Sequence, residues 1–189
     1  MSGGNISSLL KKYGPFPEEI IRFYSKQILS ALSYIHSRNV VHKDIKGANI
    51  LVGNSGNVKL ADFGSAQQLE KTISISLKSE KNNLNNIIGS VPWMAPEVVR
   101  QTKYGRKSDV WSFGCAVLEM ITGNPPWSNY KFDNPITAIM KIGLSEEIPE
   151  IPKDTSKELK DFVKACLVRD QKKRASVEDL KNHLFLNKE

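Results

Sequence analysis

The chain opens on two helical patterns separated by a stop. Ile6, Leu9 and Leu10 sit at helical spacing behind Asn5, a good N-cap, and Gly14-Pro15 ends the element. Pro17 then opens a long helix, since proline is tolerated at the first helical position. Along it Ile20, Phe23, Tyr24, Gln27, Ile28, Ala31, Leu32 and Ile35 recur with a period of about 3.6 residues. That spacing predicts one buried stripe, running until Ser37-Arg38-Asn39. Three short aliphatic pieces follow, Val40-Val41, Ile50-Leu51-Val52 and Val58-Lys59-Leu60, and Gly53 to Asn57 makes a turn between the last two. Glu70 to Asn86 is polar and aperiodic. It reads as a loop, and one that long inside a compact domain is functional or disordered.

The second half is helical in pattern. Ser108 to Thr122 is strongly apolar and stops at Gly123-Asn124-Pro125-Pro126, so it is expected to be the central and most buried helix. Apolar spacing returns in Ile136 to Ile142, Leu159 to Leu167 and Val177 to Leu184. Ser156 with Glu158, and Ser176 with Asp179, supply polar and acidic helix starts. No internal repeat or second-domain boundary is visible.

Composition changes this picture little. With 189 residues, 40% hydrophobic and 25% charged, the chain suits one globular domain or a large piece of one. A net charge of +7 raises the question of anionic partners. The positive residues are scattered, as in Lys11-Lys12, Lys103 to Lys107 and Lys172 to Arg174, and no aromatic residues alternate with them. A solvated basic surface is therefore expected, with no nucleic acid partner. Cys115 and Cys166 lie among apolar residues, too far apart for a zinc site, and read as buried free thiols. No apolar run approaches the ~20 residues of a membrane span, and no signal peptide is visible. An intracellular, soluble, cytoplasmic protein without membrane partners is expected.

Chemistry concentrates in three segments. His42-Lys43-Asp44-Ile45-Lys46-Gly47-Ala48-Asn49 sets charged and polar groups between two short apolar strands, where a purely structural loop would not carry them. Asp62-Phe63-Gly64 follows the strand Val58 to Leu60, and Ala95-Pro96-Glu97 lies downstream. Alone, Asp62-Phe63-Gly64 is a weak signal. In this order and context the three match the protein-kinase signature set. Phosphoryl transfer asks the protein for positioning and charge neutralisation. Asp44 can accept the proton of a substrate hydroxyl, Asn49 and Asp62 offer the oxygen ligands that hard Mg²⁺ takes, and Lys46 brings a point charge to the transferring phosphate. Gly64 permits a backbone turn after Asp62. Against these roles, Asp44 could be a capping aspartate and Asn49 a turn asparagine.

From Ile6 onward the chain resembles the C-terminal lobe of eukaryotic-type serine/threonine protein kinases. Its closest likeness is to the MAP kinase kinase kinase group of Ste11- and MEKK-like enzymes, carried by Gly3-Gly4 before a short helix, Ile45 to Leu51, Val91 to Glu97 and Tyr104 to Ser112. The resemblance implies a mainly α fold, a kinase-like C-lobe with short β-strands around the catalytic loop. It implies ATP and Mg²⁺ as cofactors, a catalytic loop at 42–49 and an activation segment at 62–97. Lys46, two residues after Asp44, resembles the serine/threonine pattern and implies a catalytic and ATP-contacting lysine. Leu51 resembles the floor under adenine, and Ser90 the Ser or Thr that touches the catalytic aspartate. Asp109 is similar to the aspartate that ties the catalytic loop to the core helix, while Glu97 and Arg174 resemble a buried ion pair. A MAP kinase kinase would be the protein substrate.

Two departures qualify the match. Lys43 stands where the family usually has arginine, so a bidentate fork to a phosphorylated loop is replaced by a point charge. That is either a conservative replacement or an altered regulation. Between Met1 and Gly14 there is no glycine-rich phosphate loop and no strand lysine, so the N-lobe is expected to be missing and residues 1–189 to be a partial kinase domain. A fragment, a truncated gene model and a shortened natural product all fit. Two functions compete on this basis: a Ser/Thr kinase catalytic lobe, active when joined to its N-lobe, and a catalytically inactive kinase-like interaction module.

Overall fold

A computed structural model describes residues 3–68, 90–100, 104–130, 132 and 134–187. The stretch expected as a loop, Glu70 to Asn86, lies outside the described residues. In chain order the elements are α1 (Ile6–Tyr13), α2 (Glu18–Ser37), β1 (Val40–Val41), β2 (Ile50–Val52), β3 (Val58–Leu60), β4 (Gln67–Gln68), α3 (Pro96–Val99), α4 (Arg106–Thr122), α5 (Pro135–Leu144), α6 (Lys157–Cys166), α7 (Val177–Lys181) and α8 (Leu184–Asn187). Single 3₁₀ turns occur at Gly47–Asn49, Phe63–Ser65 and Val91–Trp93. The architecture is mainly α, as expected.

Local chemistry accounts for most boundaries. Asn5 and Ser8 cap α1 reciprocally: the Ser8 N–H donates to Asn5 Oδ1 at 2.8 Å and the Asn5 N–H to Ser8 Oγ at 3.0 Å. Gly14 closes that helix at φ 79°, a left-handed angle that glycine adopts without strain. Pro17 occupies the N-cap of α2, one residue earlier than expected. Ser156 caps α6, and Ser176 with Asp179 forms a capping box on α7.

Helix α2 corrects the expected stripe. Its buried residues are Ile21, Ser25, Ile28, Leu29, Leu32, Ile35 and His36, whereas Ile20 is 39% and Phe23 49% exposed. The helix is apolar around more than half its circumference, so spacing alone does not choose the inward face. Polar links along it make that choice. Glu18 accepts from the Ser156 N–H and hydroxyl at 2.9 and 2.7 Å, Arg22 Nε donates to the Phe185 carbonyl at 2.8 Å, and the Ser33 hydroxyl donates to Glu178 at 2.6 Å.

Helix α4 is the centre of the molecule, and every residue from Ser108 to Met120 is buried. It starts two residues before Ser108 and ends at Gly123, with φ 71°. On one side Phe113 meets Phe162 edge-on at 6.0 Å, and Phe162 continues to Phe185 at 5.2 Å. The expected helix Val177 to Leu184 is broken into α7 and α8. Leu184 is 66% exposed, because the break lets His183 and Phe185 turn onto Phe162 instead. On α5 the apolar side chains of Ala138 and Ile142 reach the core, while Ile136, Ile139, Met140 and Leu144 are exposed. Among the described residues no helix is long and apolar enough to cross a membrane.

Two antiparallel strand pairs flank the site. β2 pairs with β3 in the register Ile50↔Leu60, Leu51↔Lys59, Val52↔Val58. β1 pairs with β4, a strand not expected from the sequence, as Val40↔Gln68 and Val41↔Gln67.

A close approach between helices tests the packing. A Cβ on Gly114 of α4 would stand 2.5 Å from Cys166 Cβ and 3.1 Å from Leu167 Cδ2. Gly114→Ala is expected to lower unfolding free energy by about 1–3 kcal/mol, the cost of overpacking a filled core. Urea denaturation checks it; an unchanged midpoint would show that the two helices separate freely.

Candidate active site

The segment 42–49 lies across α4 and is gripped from below by Asp109, which is fully buried. One carboxylate oxygen of Asp109 accepts the His42 N–H at 2.9 Å and the other the Lys43 N–H at 3.0 Å; His36 Nε2 lies 2.8 Å away as well. The aspartate therefore satisfies its charge with backbone donors and fixes the start of the loop. Lys43 is held at φ 71°, a left-handed angle uncommon for a residue with a Cβ. Its ammonium lies 5.1 Å from the centre of the Tyr104 ring, and burial pulls its pKa down.

His42 is buried and bridges the loop to the chain just after β3. Its Nδ1 stands 3.3 Å from the Asp44 N–H and its Nε2 3.1 Å from the Ala61 carbonyl. Accepting at Nδ1 and donating at Nε2 defines the neutral tautomer. Burial lowers the His42 pKa against the opposing pull of Asp109, Asp44 and Asp62, which agrees with that assignment.

The structure brings Asp44, Lys46 and Asn49 together. Asp44 Oδ2 accepts from Lys46 Nζ at 2.9 Å and from Asn49 Nδ2 at 2.8 Å; the same Nδ2 also reaches the Asp44 carbonyl at 2.8 Å. Lys46 Nζ donates further to Ser90 Oγ at 2.7 Å, so Ser90 is joined to Asp44 through the lysine. Asp62 arrives by strand register. The Ala61 N–H donates to the Asn49 carbonyl at 2.9 Å, which extends the β2–β3 ladder by one rung and sets Asp62 just beyond Asn49's partner.

The left-handed residue is Asp62, at φ 62° and ψ 67°, and its Oδ1 accepts the Gly64 N–H at 3.3 Å. Gly64 itself has no positive φ, and a Cβ on it would lie 3.1 Å from that oxygen, a tight contact that glycine avoids. Leu51 sits on β2 between buried Ile50 and Val52, and is itself partly exposed. The Gly3-Gly4 leg lies against the same strand. The Val52 N–H donates to the Gly4 carbonyl at 2.9 Å, and a Cβ on Gly3 would fall 2.5 Å from the Val52 carbonyl oxygen.

The donor set suits magnesium. Asn49 spends its amide N–H groups on Asp44, which leaves its carbonyl oxygen; Asp62 adds an exposed carboxylate. Among the described residues no group of three His, Cys, Asp or Glu could hold a metal by itself. Two hard oxygens with the remaining positions left to phosphate and water is how Mg²⁺ is commonly bound.

Beneath the segment 90–97 lies the expected ion pair. Arg174 donates to both oxygens of Glu97, at 2.6 and 2.9 Å, and Ser108 Oγ donates to Glu97 at 3.0 Å. Arg174 is 1% and Glu97 8% exposed. Sequence reasoning missed Glu119, a buried carboxylate on α4 that accepts the Gly47 N–H. Its signal was a lone acid inside the apolar run Ala116 to Met120. His36 and the bridging role of His42 were missed too.

A loop anchored to a buried helix, an aspartate held by a lysine and an asparagine, and a second aspartate delivered by a hairpin are the arrangement of a protein-kinase-like domain. The chain belongs to the protein kinase family: the protein kinase domain model matches residues 1–186. It is 47% identical to mitogen-activated protein kinase kinase kinase 3 of Arabidopsis thaliana over 98% of this chain and 29% of that protein. It is 46% identical to mitogen-activated protein kinase kinase kinase YODA of the same plant, over 98% of this chain and 20% of that protein. With mitogen-activated protein kinase kinase kinase MST11 of Pyricularia oryzae the identity is 44%, over 97% and 20%. The chain thus spans less than a third of the length of these relatives.

Breaking the buried pair gives a direct test. Arg174→Ala or Glu97→Ala strands a charge and is expected to cost about 3–5 kcal/mol of stability. Arg174→Lys keeps the charge but loses the fork and should fall between. Equal urea midpoints for wild type and Arg174→Lys would mean that the bidentate geometry contributes nothing.

Proposed function

We propose that the chain is the catalytic lobe of a serine/threonine protein kinase, moving the γ-phosphoryl group of ATP onto a protein hydroxyl. The observation that carries this reading is the Asp44 carboxylate held by Lys46 and Asn49 at the mouth of the hairpin that delivers Asp62. Asp44 orients the substrate hydroxyl and accepts its proton. Lys46, already 2.9 Å from Asp44, holds positive charge where the phosphoryl group passes. Asn49 and Asp62 would hold Mg²⁺, and Leu51 would lie under the adenine. Magnesium-bound ATP supplies the phosphoryl group and the neutralisation of its charge; the chain supplies position.

On this reading residues 42–49 are the catalytic loop, 62–97 the activation segment, and residues 1–189 the C-terminal lobe of a kinase domain. The opposite lobe of the same kinase covers the nucleotide. The relatives' names, mitogen-activated protein kinase kinase kinases, support a MAP kinase kinase as substrate; the cytoplasm is the compartment proposed for it.

Asp44→Asn, in protein that carries the nucleotide-covering lobe, is expected to lower radiolabel transfer by about 10²–10⁴-fold while ATP still binds. Near-normal turnover would overturn the role and favour a non-catalytic interaction module.

The polypeptide of residues 1–189 alone is expected to bind Mg-ATP weakly or not at all, and to show no measurable kinase activity. Asn49, Asp62 and Leu51 supply one wall, and phosphates facing water are screened from the charges that would hold them. Calorimetry decides it: micromolar dissociation, about −8 kcal/mol, would show a self-sufficient lobe.

A further inference from the structure

Where α2, α4 and α7 converge they leave a half-open cleft of about 360 Å³, on none of whose walls the proposed chemistry draws. That volume falls at the lower end of the roughly 300–1,000 Å³ of small-molecule sites. The surface it presents is mainly apolar, with Val110 of α4 and Val177 of α7, both buried, in its walls. Ser37, at the end of α2, stands exposed at its edge.

The polar groups around the cleft are unevenly spent. Glu178 lines it, but its carboxylate already accepts the Ser33 hydroxyl at 2.6 Å and Lys181 Nζ at 3.2 Å. Arg106 and Lys107 line it too. The first donates through one amino group to Asn39 and the second to the Arg174 carbonyl, and each keeps further N–H donors. Positive charge therefore dominates the rim. His36 forms another part of the wall. Its side chain is 8% exposed, its Nε2 lies 2.8 Å from Asp109 Oδ2, and among the described residues it makes no other side-chain hydrogen bond. With Nε2–H donating to the carboxylate, Nδ1 is left without a protein partner. The same Asp109 oxygen accepts the His42 N–H at 2.9 Å, so an occupant touching the ring is one hydrogen bond away from the oxygen that holds the catalytic loop.

We propose that this cleft is a regulatory site for a small organic acid, an apolar body bearing one carboxylate, and that occupancy is coupled to the catalytic loop through His36 and Asp109. The apolar walls take the body, and Arg106 and Lys107 take the carboxylate. An anion is selected because two cations with donors to spare face one carboxylate that is already paired. A free molecule suits the cleft better than an extended peptide, which docks along a sheet edge or a long groove. Contact with the occupant restrains the His36 ring, and a ring held in place keeps its bond to Asp109. Occupancy thus steadies the grip on residues 42 and 43, and by linkage a steadier grip binds the occupant more tightly. The site stands whether or not the kinase reading of Asp44 does.

The test uses kinase carrying both lobes and two probes of one shape, 2-naphthoate and the neutral 2-naphthylmethanol. Titration followed by methyl NMR is expected to shift the Val110 and Val177 resonances, with a dissociation constant of about 0.1–1 mM for the acid. The alcohol is expected to bind about 10-fold more weakly, the difference that one charge-assisted bond makes. Arg106→Ala removes most of that preference. Ser37→Phe, which fills the mouth, abolishes binding of both probes; if it fails to fold, the wild-type methyl shifts alone locate the site. Amide exchange at His42 and Lys43 slows when the acid is saturating. Absence of saturable shifts at Val110 and Val177, or binding that survives Ser37→Phe, overturns the site. Equal affinity for acid and alcohol, or a preference untouched by Arg106→Ala, overturns the assignment of an anion. Unchanged exchange at His42 and Lys43 with the cleft full overturns the coupling to the loop.

Discussion

The grip of Asp109 on the backbone of residues 42 and 43 is the constraint from which the site follows. A fully buried carboxylate is tolerable only when its oxygens are occupied, and here the occupants include two consecutive loop N–H groups, His36 and the Tyr104 hydroxyl. Two adjacent backbone donors can meet one carboxylate only if the chain turns sharply between them. Lys43 makes that turn at φ 71°. Asp44 then leaves the turn with its direction set, and Lys46 and Asn49 converge on its carboxylate from later in the same loop. The arrangement is built on the rigid buried helix rather than on the loop's own preferences.

Helix α4 can serve as that base because its buried carboxylates and serine hydroxyls are few and each has a partner. Asp109 and Glu119 face the catalytic loop; Ser108 and Ser112 tie the chain at 93–97 through Glu97 and the Trp93 carbonyl. Between them Trp111, Phe113, Cys115 and Val117 bury apolar surface against neighbouring elements. Arg174 locks the far side through both oxygens of Glu97 and through the carbonyls of Lys107 and Val168. The segment carrying Ser90 is therefore bound to the helix independently of the catalytic loop, and the two meet where Lys46 touches Ser90.

Much of this was legible in the residues. Caps at Asn5, Ser156 and Ser176, and stops at Gly14 and Gly123, are local chemistry that a linear reading recovers. The motif around Asp44 and the segment Asp62 to Gly64 were legible because few structural loops hold such groups in that order. What escaped depends on partners distant in sequence. The inward face of α2 is chosen by Ser156, Phe185 and Glu178, more than 130 residues away. The break after α7 follows from the place Phe162 offers to His183 and Phe185. Glu119 could be recognised as out of place in an apolar run, but its partners Gly47, Trp93 and Ser7 belong to three separate segments. The turn that Gly64 permits after Asp62 was legible; that Asp62 itself takes the left-handed angle was not, because it follows from the hairpin behind it.

Strain marks the same place from another direction. Among the described residues, four that are not glycine have positive φ: Asn39, Lys43, Asp62 and Trp127. Lys43 and Asp62 flank the cluster of Asp44, Lys46 and Asn49, one before it in the loop and one beyond it on the hairpin. Each left-handed angle costs about 1–3 kcal/mol and persists only where the surroundings over-determine it. For Lys43 that determination is the bond of its own N–H to Asp109. For Asp62 it is the hairpin ladder, carried one rung further by Ala61, together with the Gly64 N–H. The two strained residues are thus held from opposite directions, one by the buried helix and one by the strand pair. His42 spans the two supports, with Nδ1 toward the Asp44 N–H and Nε2 toward the Ala61 carbonyl. Protonating Nδ1 would set two donors against each other there, so the burial that keeps His42 neutral also keeps the halves of the site in register.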